Sequence, residues 1–337
     1  MTNNRARMGD VAALSGLSRS TVDRVLNGRA GVRAETVARV EAAMRSLGYA
    51  PSSLSARKVV AHKNVALVLP EGTNPFFDVV FRSAGQISGL DAFVGHTFHS
   101  HRYDTYAPDS VIPVLQSLPP ETDALVIVGV DNDDVTDALS GLSARGVRVI
   151  TIISDAPRAQ RFAYVGQDNF ATGCTAARLL ATMIPQGAGE VALLLGHLQF
   201  RHLLDRMSGF RQTLGLSRPD LTVIQPAAYG SDPAMTGQVV AELAARGDAL
   251  RGVYLAGGGQ PSLIDAFADG CPAPLKIIGH EITPYTRKAL NEGRFQAVLA
   301  HDMDRVMQQA LEVALDLRSP EDVHCAINIF VRDNLPD

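Results

Sequence analysis

Cysteine and long apolar runs are what this chain is short of. Three cysteines in 337 residues, at positions 174, 271 and 325, form no CxxC pair, so neither a cysteine zinc site nor a disulfide framework is expected, and isolated thiols fit a reducing compartment. The longest apolar stretches, such as ALVIVGV at 124–130, are strand-length and fall well below the roughly 18 residues needed to cross a bilayer. The opening MTNNRARMGD has neither the apolar core nor the cleavage site of a signal peptide, so a cytoplasmic protein with no membrane partner is expected. No GxGxxG follows the first strand-like run, and no GK[ST] or GxSxG occurs; with no phosphate loop or nucleophile elbow, neither an enzyme nor a cofactor is expected. HTFHSH at 96–101 holds three histidines, but alternate positions on a strand and its following loop do not close a tetrahedral set, so it reads as a polar rim and no metal is expected.

What is present is divided unevenly. The net charge is −4, yet residues 1–58 hold ten Lys and Arg against four Asp and Glu, and the remainder holds 21 against 31. A small unit of +6 precedes a larger one of −10. The first is the polyanion-binding part.

The first 50 residues carry three short helical patterns. One opens at Asp10 and stops at Gly16; a second, with Ser18 as N-cap, runs through Leu26 with Val22, Val25 and Leu26 on one face; a third covers 34–47 with Val37, Val40, Ala43, Met44 and Leu47 recurring at three and four. Two helices joined by a tight Gly-containing turn and buried by a third form a helix-turn-helix headpiece (1–50). YAPSSLSARKVVAHK follows as a linker, with 51–63 as the hinge. Downstream, buried-strand runs at NVALVLP, DALVIVGV, GVRVITII, GEVALLL, LTVIQPA, RGVYLAG and LKIIG alternate with helical stretches near 76–90, 132–144, 169–183, 202–214, 232–245 and 302–317. Such alternation indicates α/β architecture with parallel sheets covered by helices on both faces. Residues 64–337 are many for one sheet, so two lobes with a cleft at the strand carboxyl ends are expected.

In a helix-turn-helix the second helix enters the major groove with its N-terminal residues on the base edges. That puts Arg19, Ser20 and Arg24 on the reading side, an arginine being able to donate twice to guanine. Ser18, Thr21 and Asn27 would reach phosphates and fix register.

DVAALSGLSRSTVDRVLNGRAGVRAETVARVEAAMRSLGYAP (10–51) and TNPFFDVV (73–80) resemble the LacI/GalR family of bacterial transcription regulators, and the remainder looks like the family's periplasmic-binding-protein-like core of the ribose type. The resemblance implies a homodimer that binds a roughly palindromic operator and changes affinity when a small-molecule effector, a sugar or sugar derivative, enters the core. It places Arg19 and Ser20 at the family's variable base-reading positions and Arg24 at a more uniform one. Asp23 departs from the usual Ser, and would pair with Arg19 or accept from a cytosine amine. In the hinge, the place of the family's minor-groove leucine holds Lys58 and that of the preceding alanine holds Ser55; slipping the register by one substitutes Ala56 and Val59.

For the effector site the resemblance implies Asn74, Phe76 and Phe77 after the first strand, the aromatic pair suiting the C–H face of a sugar ring. VGQDN offers Gln167 and Asp168, the R..GF motif at 206–210 offers Arg206 as the central donor, and Tyr229, Glu281 and His301 complete the set. Two departures weaken the match to a hexose: Ile153 stands where a hydroxyl-binding carboxylate is usual, with Asp155 two positions on, and Gly257 replaces an Asn or Asp. A repressor released by a sugar-like effector is one reading; a corepressor-dependent or activating regulator of a non-sugar metabolite is the other.

Overall fold

The computed structural model describes residues 8–26, 34–47, 61–196, 198–226, 236–257, 263 and 275–336. Asn27, Ser55, Lys58, Val59 and Tyr229 lie outside them. The chain divides into two compact units, Met1–Ala61 and His62–Asp337.

In the first unit α1 (Met8–Ser15), α2 (Arg19–Leu26) and α3 (Ala34–Leu47) bury Val11, Ala12, Val22, Val40 and Ala43 against one another. The turn after α1 is set by Gly16 at φ +64°, a conformation glycine adopts without a Cβ penalty. There the Leu17 N–H reaches back to the Ala12 carbonyl at 3.1 Å and the Gly16 N–H to that of Ala13 at 3.3 Å, a Schellman closure. Arg39 from α3 donates to the last α1 carbonyl, that of Ser15, at 2.7 Å. α2 then starts on Ser18, whose Oγ accepts from the Thr21 N–H at 3.1 Å, satisfying one of the first-turn donors.

The second unit holds β1 (Asn64–Glu71), α4 (Phe76–Ser88), β2 (Thr97–Asp104), α5 (Val111–Gln116), β3 (Thr122–Ile127), α6 (Asp133–Ala144), β4 (Arg148–Ile152), β5 (Ala163–Gln167), α7 (Asn169–Met183), β6 (Gly189–Leu194), α8 (Arg201–Ser217), β7 (Leu221–Ile224), α9 (Thr236–Ala244), β8 (Leu250–Leu255), β9 (Lys276–His280), α10 (Pro284–Asn291), β10 (Ala297–Ala300), α11 (Met303–Ala314), β11 (Val323–Cys325) and β12 (Asn328–Phe330). They build two six-stranded sheets, in the orders β11-β5-β4-β3-β1-β2 and β12-β10-β9-β8-β6-β7. All pairings are parallel except β10 with β12. Central strands such as β1 and β3 are buried on both faces, which is why they carry the continuous apolar runs VALVL and ALVI.

Two helices cross between the sheets. α7 leaves the first sheet after β5 yet packs on α8 and β9, and α11 leaves β10 of the second sheet yet packs on α4, β3, β4 and β5. The α7–α8 contact depends on two glycines: a Cβ on Gly173 would stand 2.1 Å from the Arg206 carbonyl oxygen, and one on Gly209 2.1 Å from that of Phe170. The R..GF motif is thereby explained locally. Gly209 lets the helix backbones touch, Phe210 is fully buried against Tyr254 at 4.7 Å between ring centroids, and Arg206 lies one turn earlier.

Candidate functional site

On α2 the apolar positions Val22 and Val25 face the other helices, leaving Ser18, Arg19, Ser20 and Arg24 exposed and Thr21 half-buried. Ser18 Oγ bonds both Ser20 Oγ and Thr21 Oγ1 at 2.8 Å. The Arg19 guanidinium lies over Gly9 of α1, close enough that a Cβ there would sit 2.6 Å from Nη2. Two cations and three hydroxyls thus occupy one accessible helix face, the chemistry that serves base edges and phosphates.

In the second unit a cavity, partly open to solvent, opens at the carboxyl ends of strands from both sheets. The first sheet supplies Pro70, Asn74, Phe76, Phe77, Thr105, Tyr106, Val128 and Ile153, and the second supplies Gly196, His202, Arg206, Gly257 and Glu281. Asn74 fixes the turn into α4 by accepting the Phe76 N–H on Oδ1 at 3.0 Å. Phe76 and Phe77 both line the cavity, Phe76 being also part of the core.

Arg206 is 2% exposed. Its Nε donates to Asn169 Oδ1 at 2.9 Å and its Nη1 to the Ala256 carbonyl at 2.8 Å, while Nη2 is buried with no partner. A buried charged donor without an acceptor is costly, and Arg206 is among the residues that line the cavity. Glu281, 4% exposed, accepts from His301 twice, from Nδ1 at 2.7 Å and from the backbone N–H at 3.1 Å. Burial pushes the Glu281 carboxyl up, but the His301 ring and the Arg206 guanidinium outweigh it and hold it below the usual carboxylate range. Arg206 and Glu281 therefore face one cavity with their main partners elsewhere. His202 and His280 are driven well below the ordinary imidazole range, chiefly by burial and then by Arg206 and His301.

Several expected residues sit differently. Asp155 does not line the cavity: Oδ1 takes the Thr151 hydroxyl at 2.7 Å and the Ala156 N–H at 2.8 Å, and Arg161 pairs with the same carboxylate. Asp168 is exposed and caps α7, accepting the Ala171 N–H at 2.9 Å; the next residue, Asn169, turns inward to Arg206 instead. His301 acts on the cavity through Glu281, and its ring stacks on Phe76 at 6.2 Å. Gly257 is a packing requirement, since a Cβ would stand 2.7 Å from the Gly196 nitrogen. Asn169, Thr105 and His202 escaped the sequence reading; the signal available for Asn169 was its place in VGQDN beside Asp168. Among the described residues no cluster of His, Cys, Asp and Glu could hold a metal ion, and no helix is long and apolar enough to cross a membrane.

Residues 7–52 match the family described as bacterial regulatory proteins, lacI family, and residues 65–321, most of the chain, match the periplasmic binding protein domain family. The chain is a lacI-family DNA-binding regulator. This regulator is 27% identical to the ribose operon repressor of Bacillus subtilis (strain 168) over 83% of its own length and 82% of the relative's. It is 25% identical to the HTH-type transcriptional regulator GalR of Escherichia coli (strain K12) over 96% of its length and 93% of the relative's. Its fold matches the solute binding protein of Burkholderia graminis C4D1M solved in complex with D-arabinose, with a TM-score of 0.72 at 21% identity over 81% of this chain and 96% of that one. Both relatives are named as transcriptional regulators rather than enzymes.

Proposed function

We propose that this regulator is a homodimeric cytoplasmic repressor that holds a roughly palindromic operator and changes its affinity when a small sugar or sugar derivative enters the cleft. It acts without catalysis. Arg19, Ser20 and Arg24 read base edges, and Ser18, Thr21 and Asn27 position the helix on phosphates. Headpiece 1–50 and core 64–337 divide the work, with linker 51–63 between them. Asn74, Phe76, Phe77, Arg206 and Glu281 hold the effector.

One observation carries this reading: the buried Arg206 Nη2 without a partner, on a cavity at the strand ends, in a chain whose α2 face of arginines and hydroxyls is open. A guanidinium beside an ionised carboxylate suits a hydroxyl, which accepts from one and donates to the other. The names of the B. subtilis ribose operon repressor and of the arabinose-bound solute binding protein point to the same class of ligand. The test is to select a DNA site from random duplexes with the full chain, then titrate the complex with D-ribose, D-arabinose and D-galactose while following fluorescence anisotropy. Release of the DNA by one of them supports the reading. DNA selected without any two-fold repeat, or a complex indifferent to all three, counts against it.

A further inference from the structure

We infer that the cleft is built for a deoxy sugar, or a polyol likewise lacking one hydroxyl, whose unoxygenated carbon meets Ile153; this rests on the reading of the cleft as a sugar site. The two sheets repeat one order, β2-β1-β3-β4-β5 and β7-β6-β8-β9-β10. β4 and β9 are therefore equivalent, and the first residue after each is Ile153 and Glu281. The equivalence extends to the backbone, with φ at +64° and +62°. Each N–H also donates to the next strand, Ile153 to the Val165 carbonyl at 3.3 Å and Glu281 to that of Leu299 at 2.9 Å. Both are buried and both line the cavity. One shared position thus presents a carboxylate from one lobe and a branched alkyl residue from the other.

An isoleucine is among the residues least suited to this backbone. Left-handed φ comes readily to Gly, Asn and Asp, and in a β-branched residue it is a true outlier of the kind that collects at ligand sites. Nothing in the local hydrogen bonding requires Ile: the Ile153 carbonyl accepts from Asn169 Nδ2 at 3.0 Å and from the Tyr164 hydroxyl at 3.1 Å, bonds any residue here could receive. With its N–H and carbonyl committed, Ile153 offers the cavity alkyl surface, continued by Val128 and Val80. The same cavity is lined by Arg206, which can donate, and by Glu281, which can accept. A ligand oxygenated all round would hold one hydroxyl against Ile153 with no partner, which a buried polar group tolerates poorly. A ligand that sets its hydroxyls on Arg206 and Glu281 and a methyl or methylene on Ile153 satisfies both kinds of lining.

Calorimetric titration of the full chain with matched pairs tests this: 2-deoxy-D-ribose against D-ribose, L-fucose against L-galactose, and L-rhamnose against L-mannose. The deoxy member of at least one pair should bind about 10-fold more tightly or better, the discrimination expected of an apolar wall. Ile153→Asn, a residue at home at positive φ, should bring that ratio to about one or below by giving the hydroxyl a partner. If every pair that binds prefers its fully hydroxylated member in the unaltered chain, the inference is overturned while the cleft remains a sugar site. If none of the six sugars binds, the inference is overturned, and the sugar reading falls with it only if D-arabinose and D-galactose also fail to bind.

Discussion

At Arg206 three separate demands meet. Its Nε and Nη1 tie α8 to Asn169 and to the end of β8, its Nη2 is buried without a partner, and the residue lines the cavity. Arg206→Ala should reduce effector affinity by about 10- to 100-fold, the worth of one charged hydrogen bond, measured by titrating effector into the full chain. His280 gives a different prediction. Its Nε2 bonds the Tyr254 hydroxyl at 2.8 Å, Nδ1 is buried without a partner, and burial holds the ring neutral. His202 is held in the same way. Unfolding frees both imidazoles to take up protons at their ordinary value of 6.5. The unfolded chain then binds more protons than the folded one below that pH, so stability is complete above it and falls as pH drops. Thermal melts from pH 7.5 to 5.5 should show a falling midpoint. His280→Gln, which cannot ionise, should make the fall shallower and leave the share of His202, and an unchanged slope would mean that the His280 imidazole is not held neutral in the fold.

Elements were far more legible in the sequence than side-chain directions. The helix at 169–183 reads from its periodicity with the bounds the structure gives it, and the buried strands announce themselves because parallel strands covered on both faces are continuously apolar. The strands β5, β10, β11 and β12, three to five residues each, escaped. β2 was half seen: an edge strand, it holds four exposed residues and no apolar run. The site suffered for a related reason. Asp168 and Asn169 are neighbours, yet the roughly 100° turn per helical residue sends one to the helix cap and the other to Arg206. Asp155 was lost to Arg161, a partner six residues on that spacing does not reveal. Motif residues fared better because packing enforces them. Gly209→Ala would set a Cβ on the Phe170 carbonyl, so α8 must move away from α7 and take Arg206 with it. We expect a loss of about 1–3 kcal/mol of stability from the overpacking, seen in denaturant melts, together with weaker effector binding. On α2, Arg24→Ala should cost roughly 1–3 kcal/mol at the operator and relax preference at one base pair per half-site; equal weakening on every sequence would make it a phosphate contact.

The whole molecule separates charge as it separates work, with +6 in residues 1–58 and −10 in the rest. Operator affinity should therefore fall by at least about 100-fold between 50 and 200 mM salt as counterions are released, while binding of a neutral effector to the cleft should hardly change. The most direct measurement of this division is a cross of two full-length variants with two titrations, operator DNA and effector, on each. Arg24→Ala is expected to lose operator affinity and keep effector affinity, and Arg206→Ala to keep operator affinity in the absence of effector and lose its response. Two variants that each lose the same activity, or an Arg206→Ala protein that folds normally yet no longer binds operator, would contradict the account.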